Sequence, residues 1–254
     1  MPRYRCAART DVGMKREHNE DSFLVNEDLG LYVVCDGMGG HAGGETASRL
    51  AVLTIERELL SARLRPDGPY ARAAASLAES PLASALRESI EGACAAVYRT
   101  SLANPELAKM GTTCIALLLD GAHAFIGHVG DSRAYLCRGE KIWQISDDHS
   151  LVNEQVRAGL LSPEEARHSR LKNIITRSVG YEEDVLVDLM GIETHPMDKF
   201  LLCSDGLANL VEADEIRDSF AEEDLADVPL QLIRLANSRG GDDNITVVAV
   251  QRVE

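Results

Sequence analysis

Four times in this 254-residue chain, a short apolar run borders an aspartate flanked by glycine or by another acid. Leu31-Tyr-Val-Val-Cys35 runs into Asp36-Gly37, and Phe200-Leu-Leu-Cys-Ser204 runs into Asp205-Gly206. Phe125 to Val129 precedes Gly130-Asp131, and Asp242-Asp243 stands just before Ile245 to Val250. Runs of this length and β-branched content suit buried strands. A carboxylate at a buried strand end, beside glycine backbone free to bend, is a common way to present a metal ligand. A single Asp-Gly reads equally well as a chain reversal. Four acidic strand ends are harder to explain as unrelated turns, and they converge if the strands lie side by side.

The remaining composition narrows the setting. Lys plus Arg number 26 against 41 Asp plus Glu, a net charge of −15. That disfavours nucleic acid or an anionic membrane surface as the main partner. The start, Met-Pro-Arg-Tyr-Arg-Cys, lacks the apolar stretch of a signal peptide. No run reaches the roughly 18–20 apolar residues of a membrane span. A soluble, cytoplasmic, monomeric protein is expected. The cysteines at 6, 35, 94, 114, 137 and 203 form no C-x-x-C pair, so buried free thiols are expected rather than a zinc or dithiol centre. None has an arginine six positions downstream, the spacing used by cysteine-dependent phosphatases.

Taken in order, Tyr4 to Arg9 reads as a strand leading into a charged loop, Thr10 to Asp21. Residues 22–26 and 31–35 read as a hairpin. A glycine-rich stretch then opens a helix over about 45–60, with Ala47, Leu50, Ala51, Ile55 and Leu59 on one side. Residues 61–79 carry little pattern and read as a surface excursion. Ser80-Pro81 starts the longest predicted helix, with Ser as cap and Pro at the first position. Strands follow at 112–119 and 122–129 around Asp120-Gly121, then at 134–137 and 141–145. The polar, helical segment 146–180, with a capping box at Ser162-Pro-Glu-Glu165, lies over the fold rather than inside it. Strands at 185–192 and 199–203, helices near 213–219 and 228–238, and a last strand at 245–250 complete the chain. No internal repeat is evident, and one domain spanning 1–254 is expected.

Converging carboxylates carry a chemical consequence. Two bare carboxylates about 4 Å apart repel by roughly 4 kcal/mol at an effective dielectric of 20. Such a cluster stays ionised only where cations neutralise it. An all-oxygen donor set points to Mg²⁺ or Mn²⁺ rather than zinc. With two ions, one Asp can bridge both, and a water between them becomes a nucleophile near neutral pH. Arg16 offers a forked donor suited to phosphate. Metal-assisted phosphate hydrolysis follows as a hypothesis.

Seven short motifs add to this in their order. They are Arg16-Glu-His-Asn-Glu-Asp21, Asp36-Gly-Met-Gly-Gly-His-Ala-Gly-Gly-Glu45, Gly111-Thr-Thr, Gly130-Asp-Ser-Arg133, Asp147-Asp-His149, Cys203-Ser-Asp-Gly206 and Asp243-Asn-Ile-Thr246. Together they resemble the metal-dependent protein serine/threonine phosphatases of the protein phosphatase 2C family, most closely its bacterial branch. The resemblance runs from Arg9 to Val250. It implies an α+β fold: a four-layer α-β-β-α sandwich, two antiparallel sheets face to face, flanked by helix pairs, with 146–180 as a flap beside the active site.

The resemblance also implies roles. Asp36 would bridge two Mn²⁺ or Mg²⁺ ions, Asp205 and Asp243 would complete the first, and the Gly37 carbonyl would bind the second. Asp131, sharing Asp205, would hold a third, weaker ion. Glu20 and Asp21 would hold water around the metals or support their ligands, and Arg16 would hold the substrate phosphate. His41 is the candidate general acid, although animal members carry theirs directly after the Asp-Gly pair, where this chain has Met38. The implied reaction hydrolyses phosphoserine and phosphothreonine on proteins by attack of a metal-bridging hydroxide. The implied partners are phosphorylated proteins, a serine/threonine kinase and its substrates. Two alternatives stay open: a non-catalytic phosphoprotein-binding relative, and a phosphatase of small phosphate esters. For single residues, Glu20-Asp21 also reads as a solvated loop pair and Gly130-Asp131-Ser132 as a turn. Ser132, Arg133, His128 and His149 read as structural.

Overall fold

In the computed structural model, which describes residues 3–40, 42–65 and 80–254, the apolar runs form two antiparallel sheets. The first has the order β1 (Tyr4–Asp11), β11 (Ile245–Arg252), β10 (Lys199–Cys203), β7 (Arg133–Arg138) and β8 (Lys141–Gln144). The second has the order β2 (Asp21–Asn26), β3 (Leu31–Met38), β5 (Cys114–Asp120), β6 (His123–Val129) and β9 (Asp188–Glu193). A two-residue strand, β4 (Gly111–Thr112), extends this sheet beside the end of β3. Strands with apolar residues on both faces need cover on both sides. Alternate residues of one face meet between the sheets: Tyr32, Val34, Ile115 and Leu117 against Leu136, Phe200, Leu202 and Val248.

The outer faces are covered by helices. Ala47, Ala51, Ile55 and Leu59 of α1 (Ala42–Arg63) lie with Leu86, Ile90 and Val97 of α2 (Pro81–Ala103) against Leu31, Val33, Ala116 and Phe125. On the opposite side, α6 (Ala213–Glu222) and α7 (Val228–Ser238) place Ile216, Phe220, Leu232 and Ala236 over Leu201, Val247 and Ala249. The result is the four-layer α-β-β-α sandwich expected. Ser80 caps α2 as read from the sequence, its side chain accepting from the Leu82 amide. Among the described residues no helix is long and apolar enough to cross a membrane. Five cysteines are buried and Cys6 is half-buried, all as free thiols.

Several boundaries differ from the sequence reading. The strand expected over 112–119 is split at Thr113, whose hydroxyl and amide turn to the backbone of Asp36. The strand expected from Val185 starts only at Asp188, where its pairing with β6 begins opposite His128. Within the flap only α3 (Leu151–Arg157) and α4 (Pro163–His168) are helical. The remainder is held by isolated bridges, Ser150 to Ile175 and Thr112 to Val179. The capping box at Ser162 and Glu165 forms as expected. A one-turn helix not foreseen, α5 (Asp205–Ala208), follows β10. Most of the excursion expected at 61–79 lies outside the described residues, and α1 runs through its first part to Arg63.

The layer of α2 sits tightly on β6. A Cβ at Gly127 would stand 2.6 Å from Ile90 Cδ1 and 3.3 Å from Leu86 Cγ. Gly127→Ala is expected to cost about 1–3 kcal/mol through overpacking. Adding Ile90→Val, which removes that Cδ1, should restore part of the loss, read as urea midpoints of the two variants. Two losses that simply add would refute a steric cause.

Candidate metal centre and active-site cleft

Pairing registers bring the acidic strand ends together. In β2 and β3, Asp21 lies directly opposite Asp36. Like charges placed so are destabilising unless something offsets them. Cys203, at the end of β10, pairs with Val247 on one side and Arg133 on the other. That sets Asp205 beside the start of β11, which Asp243 precedes, and beside the start of β7, which Asp131 precedes. The four acidic strand ends therefore meet at one end of the sandwich. They share a cleft of about 490 Å³ with Arg16, Glu20, Gly37 and the flap residues Asn173 and Ile175.

The chain around Asp36 and Asp21 is held by neutral groups. The Asp36 amide donates to Thr113 Oγ1 at 2.9 Å, and its carbonyl accepts from Thr112 Oγ1 and the Thr113 amide, both at 2.9 Å. Asp21 Oδ2 accepts from the hydroxyls of Ser204 and Thr246, each at 2.7 Å. Asn244 ties the loop to the cluster: its Oδ1 accepts from the Glu20 amide, and its Nδ2 donates to the carbonyls of Val12 and His18. Gly37 allows the closest approach. A Cβ there would lie 2.1 Å from the Gly44 carbonyl oxygen and 2.5 Å from that of Glu20.

These contacts leave the acidic side chains short of donors. Among the described residues, Asp21 Oδ1 and Asp205 Oδ1 are buried without a hydrogen-bond partner. Burial, and then the charges of Asp21, Asp205, Asp131 and Asp243, push Asp36 well above the usual carboxylate range. Burial is also the main reason that Asp21 rises to about 7, reinforced by Asp205 and Asp243 and opposed by its two hydroxyl donors. Asp131 likewise rises to about 7, through burial and then Asp205 and Asp148. The folded chain alone does not compensate this charge. Orphaned carboxylate oxygens in an all-oxygen set fit hard divalent cations. Among the described residues no three acidic, His or Cys side chains already enclose one ion position. An open arrangement suits Mg²⁺ or Mn²⁺, which keep several waters and need one or two carboxylates each.

The expected residues are largely together. Asp36, Gly37, Asp131, Asp205, Asp243, Glu20 and Arg16 all line the cleft, with Asp21 buried directly behind it. Arg16 is on Asp243, Nη2 to Oδ2 at 2.7 Å, so it borders the cluster as well as the cleft. Of the acidic pair, Asp242 turns away to Lys15. The buried Asp21, bonded to two hydroxyls, is not the solvated loop residue of the alternative reading. His41 lies outside the described residues. His149 is structural as expected: its Nδ1 accepts from the Gly130 amide and its Nε2 faces Asp188 at 3.1 Å. His128 stacks on it, with ring centroids 4.7 Å apart. Thr112, Thr113, Ser204, Asn244 and Thr246 lie inside three of the seven motifs, and the sequence alone assigns them no role. Small hydroxyl or amide residues adjoining each acidic strand end were the available signal.

The raised carboxylates give a pH dependence whose sign is fixed. In the metal-free folded state Asp21 holds its proton up to about 7, against 3.8 ordinarily. Its contribution to stability is therefore present at acid pH and fades as pH rises from about 4 to about 7. Bound cations reverse this, because they need the ionised form. The increase in Tm on adding saturating Mn²⁺ should be larger at about pH 7.5 than at about pH 5, by roughly 3–8 °C. Scanning calorimetry with Mn²⁺ and with chelator checks it, and an equal increase at both values would contradict the reading.

Comparison with known proteins agrees with the geometry. Residues 14–239 match the family model described as protein phosphatase 2C. The serine/threonine phosphatase stp of Listeria welshimeri is 37% identical over 248 residues, covering 96% of this chain and 94% of the relative. Protein phosphatase PhpP of Streptococcus pneumoniae is 36% identical over 250 residues, covering 96% of each chain. The crystal structure of the Mycobacterium tuberculosis serine/threonine phosphatase PstP/Ppp superposes with a TM-score of 0.87 at 32% identity, with complete coverage of both chains. A structure of the PstP catalytic domain in complex with 2 manganese ions gives a TM-score of 0.84 at 33% identity, covering 99% of each chain. With its carboxylate cluster at the shared end of two packed sheets, this chain belongs to the protein phosphatase 2C family.

Proposed function

We propose that this chain is a Mn²⁺- or Mg²⁺-dependent phosphatase that hydrolyses phosphoserine and phosphothreonine on proteins. The observation that carries the reading is the convergence of Asp36, Asp131, Asp205 and Asp243 in one cleft, with buried carboxylate oxygens lacking donors. The named relatives are serine/threonine phosphatases, and one is seen with two manganese ions, which supports it.

In this reading Asp36, Asp205, Asp243 and the Gly37 carbonyl hold two ions, and Asp131 with Asp205 holds a third. Bound cations supply charge neutralisation and an acidified water. The protein's own part is orientation. Thr112 and Thr113 fix the backbone of Asp36, while Ser204 and Thr246 hold Asp21 behind the cluster. Glu20 stands at the cleft wall to order water. Arg16, on Asp243, also reaches the cleft and can offer its fork to a phosphate dianion. The cytoplasm is the compartment proposed, with a serine/threonine kinase supplying the phosphorylated substrates and residues 1–254 acting as one unit.

Phosphopeptide hydrolysis should vanish in chelator and return with Mn²⁺, while thiol alkylation of the native protein leaves most of it, since five of the thiols are buried. Full activity in chelator would refute the mechanism. Asp36→Asn, Asp205→Asn and Asp243→Asn should each weaken Mn²⁺ binding by titration calorimetry and remove nearly all turnover. Arg16→Ala should raise KM more than it weakens metal binding.

Asp131 separates the third site from the other two. Few protein ligands mean an ion held mainly by water and readily exchanged. Asp131→Ala should fold normally and retain two ions, yet lose phosphopeptide turnover at low Mn²⁺. Stoichiometry and rate across a Mn²⁺ series decide this, and a variant matching the wild type at every concentration would leave Asp131 a turn residue.

A further inference from the structure

A second depression, of about 530 Å³, opens from the cluster. It shares Asp131 and Asp205 with the cleft and continues between the flap and the α5–α6 side, past Arg133, Arg167 and Lys172. The polar character of this groove is set by how its charges are committed. Arg133 is held by both carboxylate oxygens of Asp148, at 3.0 Å and 2.7 Å. Arg167 faces Glu212 across the groove at 3.5 Å, and Asp147 pairs with Arg157 at 2.7 Å. Asp131 and Asp205 belong to the metal cluster. Lys172 differs from all of these: among the described residues its ammonium has neither a hydrogen bond nor an ion pair, although it is only partly exposed.

Its position is also specific. Along the flap, Asn173 and Ile175 line the cleft, while Lys172, next to them, lines the groove. Its charge lowers both Asp205 and Asp242, so it stands close to the cluster on the flap side. On a chain carrying a net charge of −15, this sets a cation without a direct partner among the described residues at the junction of groove and cleft. A compact ammonium on a flexible stem accepts an anion in many geometries, so it selects for charge rather than for one shape. A small ester fills only the cleft. A polypeptide bound by its phosphate has to leave the cleft, and the groove is a recessed path out of it, opening at Asp131 and Asp205.

We propose that Lys172 is a specificity-determining residue that holds an anionic side chain, a carboxylate or a second phosphate, carried by the polypeptide substrate within a few residues of the scissile phosphoserine or phosphothreonine. This rests on the phosphatase reading above.

The test measures kcat and KM at saturating Mn²⁺ for wild type, Lys172→Ala, Lys172→Arg and Lys172→Glu. The substrates are p-nitrophenyl phosphate, an alanine-flanked phosphothreonine peptide, and versions with a single Glu at each of the three positions on either side. A further set carries phosphoserine in place of that Glu, which separates a carboxylate from a second phosphate as the preferred anion. At one or more flank positions the wild type should favour the anionic peptide by about fivefold or more in kcat/KM, chiefly through KM. Lys172→Ala should erase the preference while leaving p-nitrophenyl phosphate and the alanine-flanked peptide within about twofold. Lys172→Arg should keep it, and Lys172→Glu should shift it to a peptide with Lys at that position. Absence of any flank preference in the wild type overturns the proposal. So does an equal loss by Lys172→Ala on every substrate, which would place Lys172 on the scissile phosphate or in the fold. A wild type active on p-nitrophenyl phosphate but on no phosphopeptide overturns the protein-phosphatase reading itself, and this inference with it.

Discussion

Mutual repulsion among carboxylates in a recessed pocket is the constraint on which the rest of this structure depends. Asp36 faces Asp21 across two strands and shares the cleft with Asp131, Asp205 and Asp243. Burial and neighbouring charge both oppose ionisation there, as the upward shift of Asp21, Asp36 and Asp131 records. A chain that keeps such a set stores an unfavourable arrangement in its metal-free state. Divalent cations convert that cost into binding, so affinity for metal and stability of the site are one quantity.

Holding the acids in place falls to neutral partners rather than to opposite charges. Thr112 and Thr113 grip the backbone of Asp36, leaving its carboxylate for the cleft. Ser204 and Thr246 satisfy one oxygen of Asp21 and leave the other. Salt bridges would have drained the negative potential that attracts cations. Hydroxyls orient without doing so. Arg16 is the exception, and it stands at the rim on Asp243, the more exposed acid, rather than in the buried set.

The flap is attached differently from the sandwich. Its two short helices bury little, and its links to the body include one bridge, Thr112 to Val179, the paired hydrogen bonds of Gly130 and His149, and the ion pair of Arg133 with Asp148. Elements with few buried apolar contacts occupy the low end of local stability. Its residues nonetheless form one wall of the cleft and one wall of the groove. Substrate selection can therefore vary on the flap without disturbing the buried carboxylates.

The sequence by itself determined the strands, the main helices and the acidic strand ends. Burial on both faces leaves a continuous apolar run, and Ser80-Pro81 or Ser162 to Glu165 signals a helix start from local backbone chemistry alone. It also determined the donor chemistry, since oxygen ligands without placed thiols are legible as residue types. Pairing was not legible. That Asp21 stands opposite Asp36, and that Arg133 lies beside Cys203, are registers between segments far apart in the chain. Register depends on which faces can be buried together, which no local window contains. For the same reason the roles of Thr113, Ser204, Asn244 and Thr246 emerged only in three dimensions. A hydroxyl or amide in a loop is indistinguishable from a solvated one until its acceptor arrives from another strand. At the break at Thr113, tertiary hydrogen bonds to the Asp36 backbone overrode local strand preference, and the start of β9 follows its pairing with β6 rather than its own apolar run.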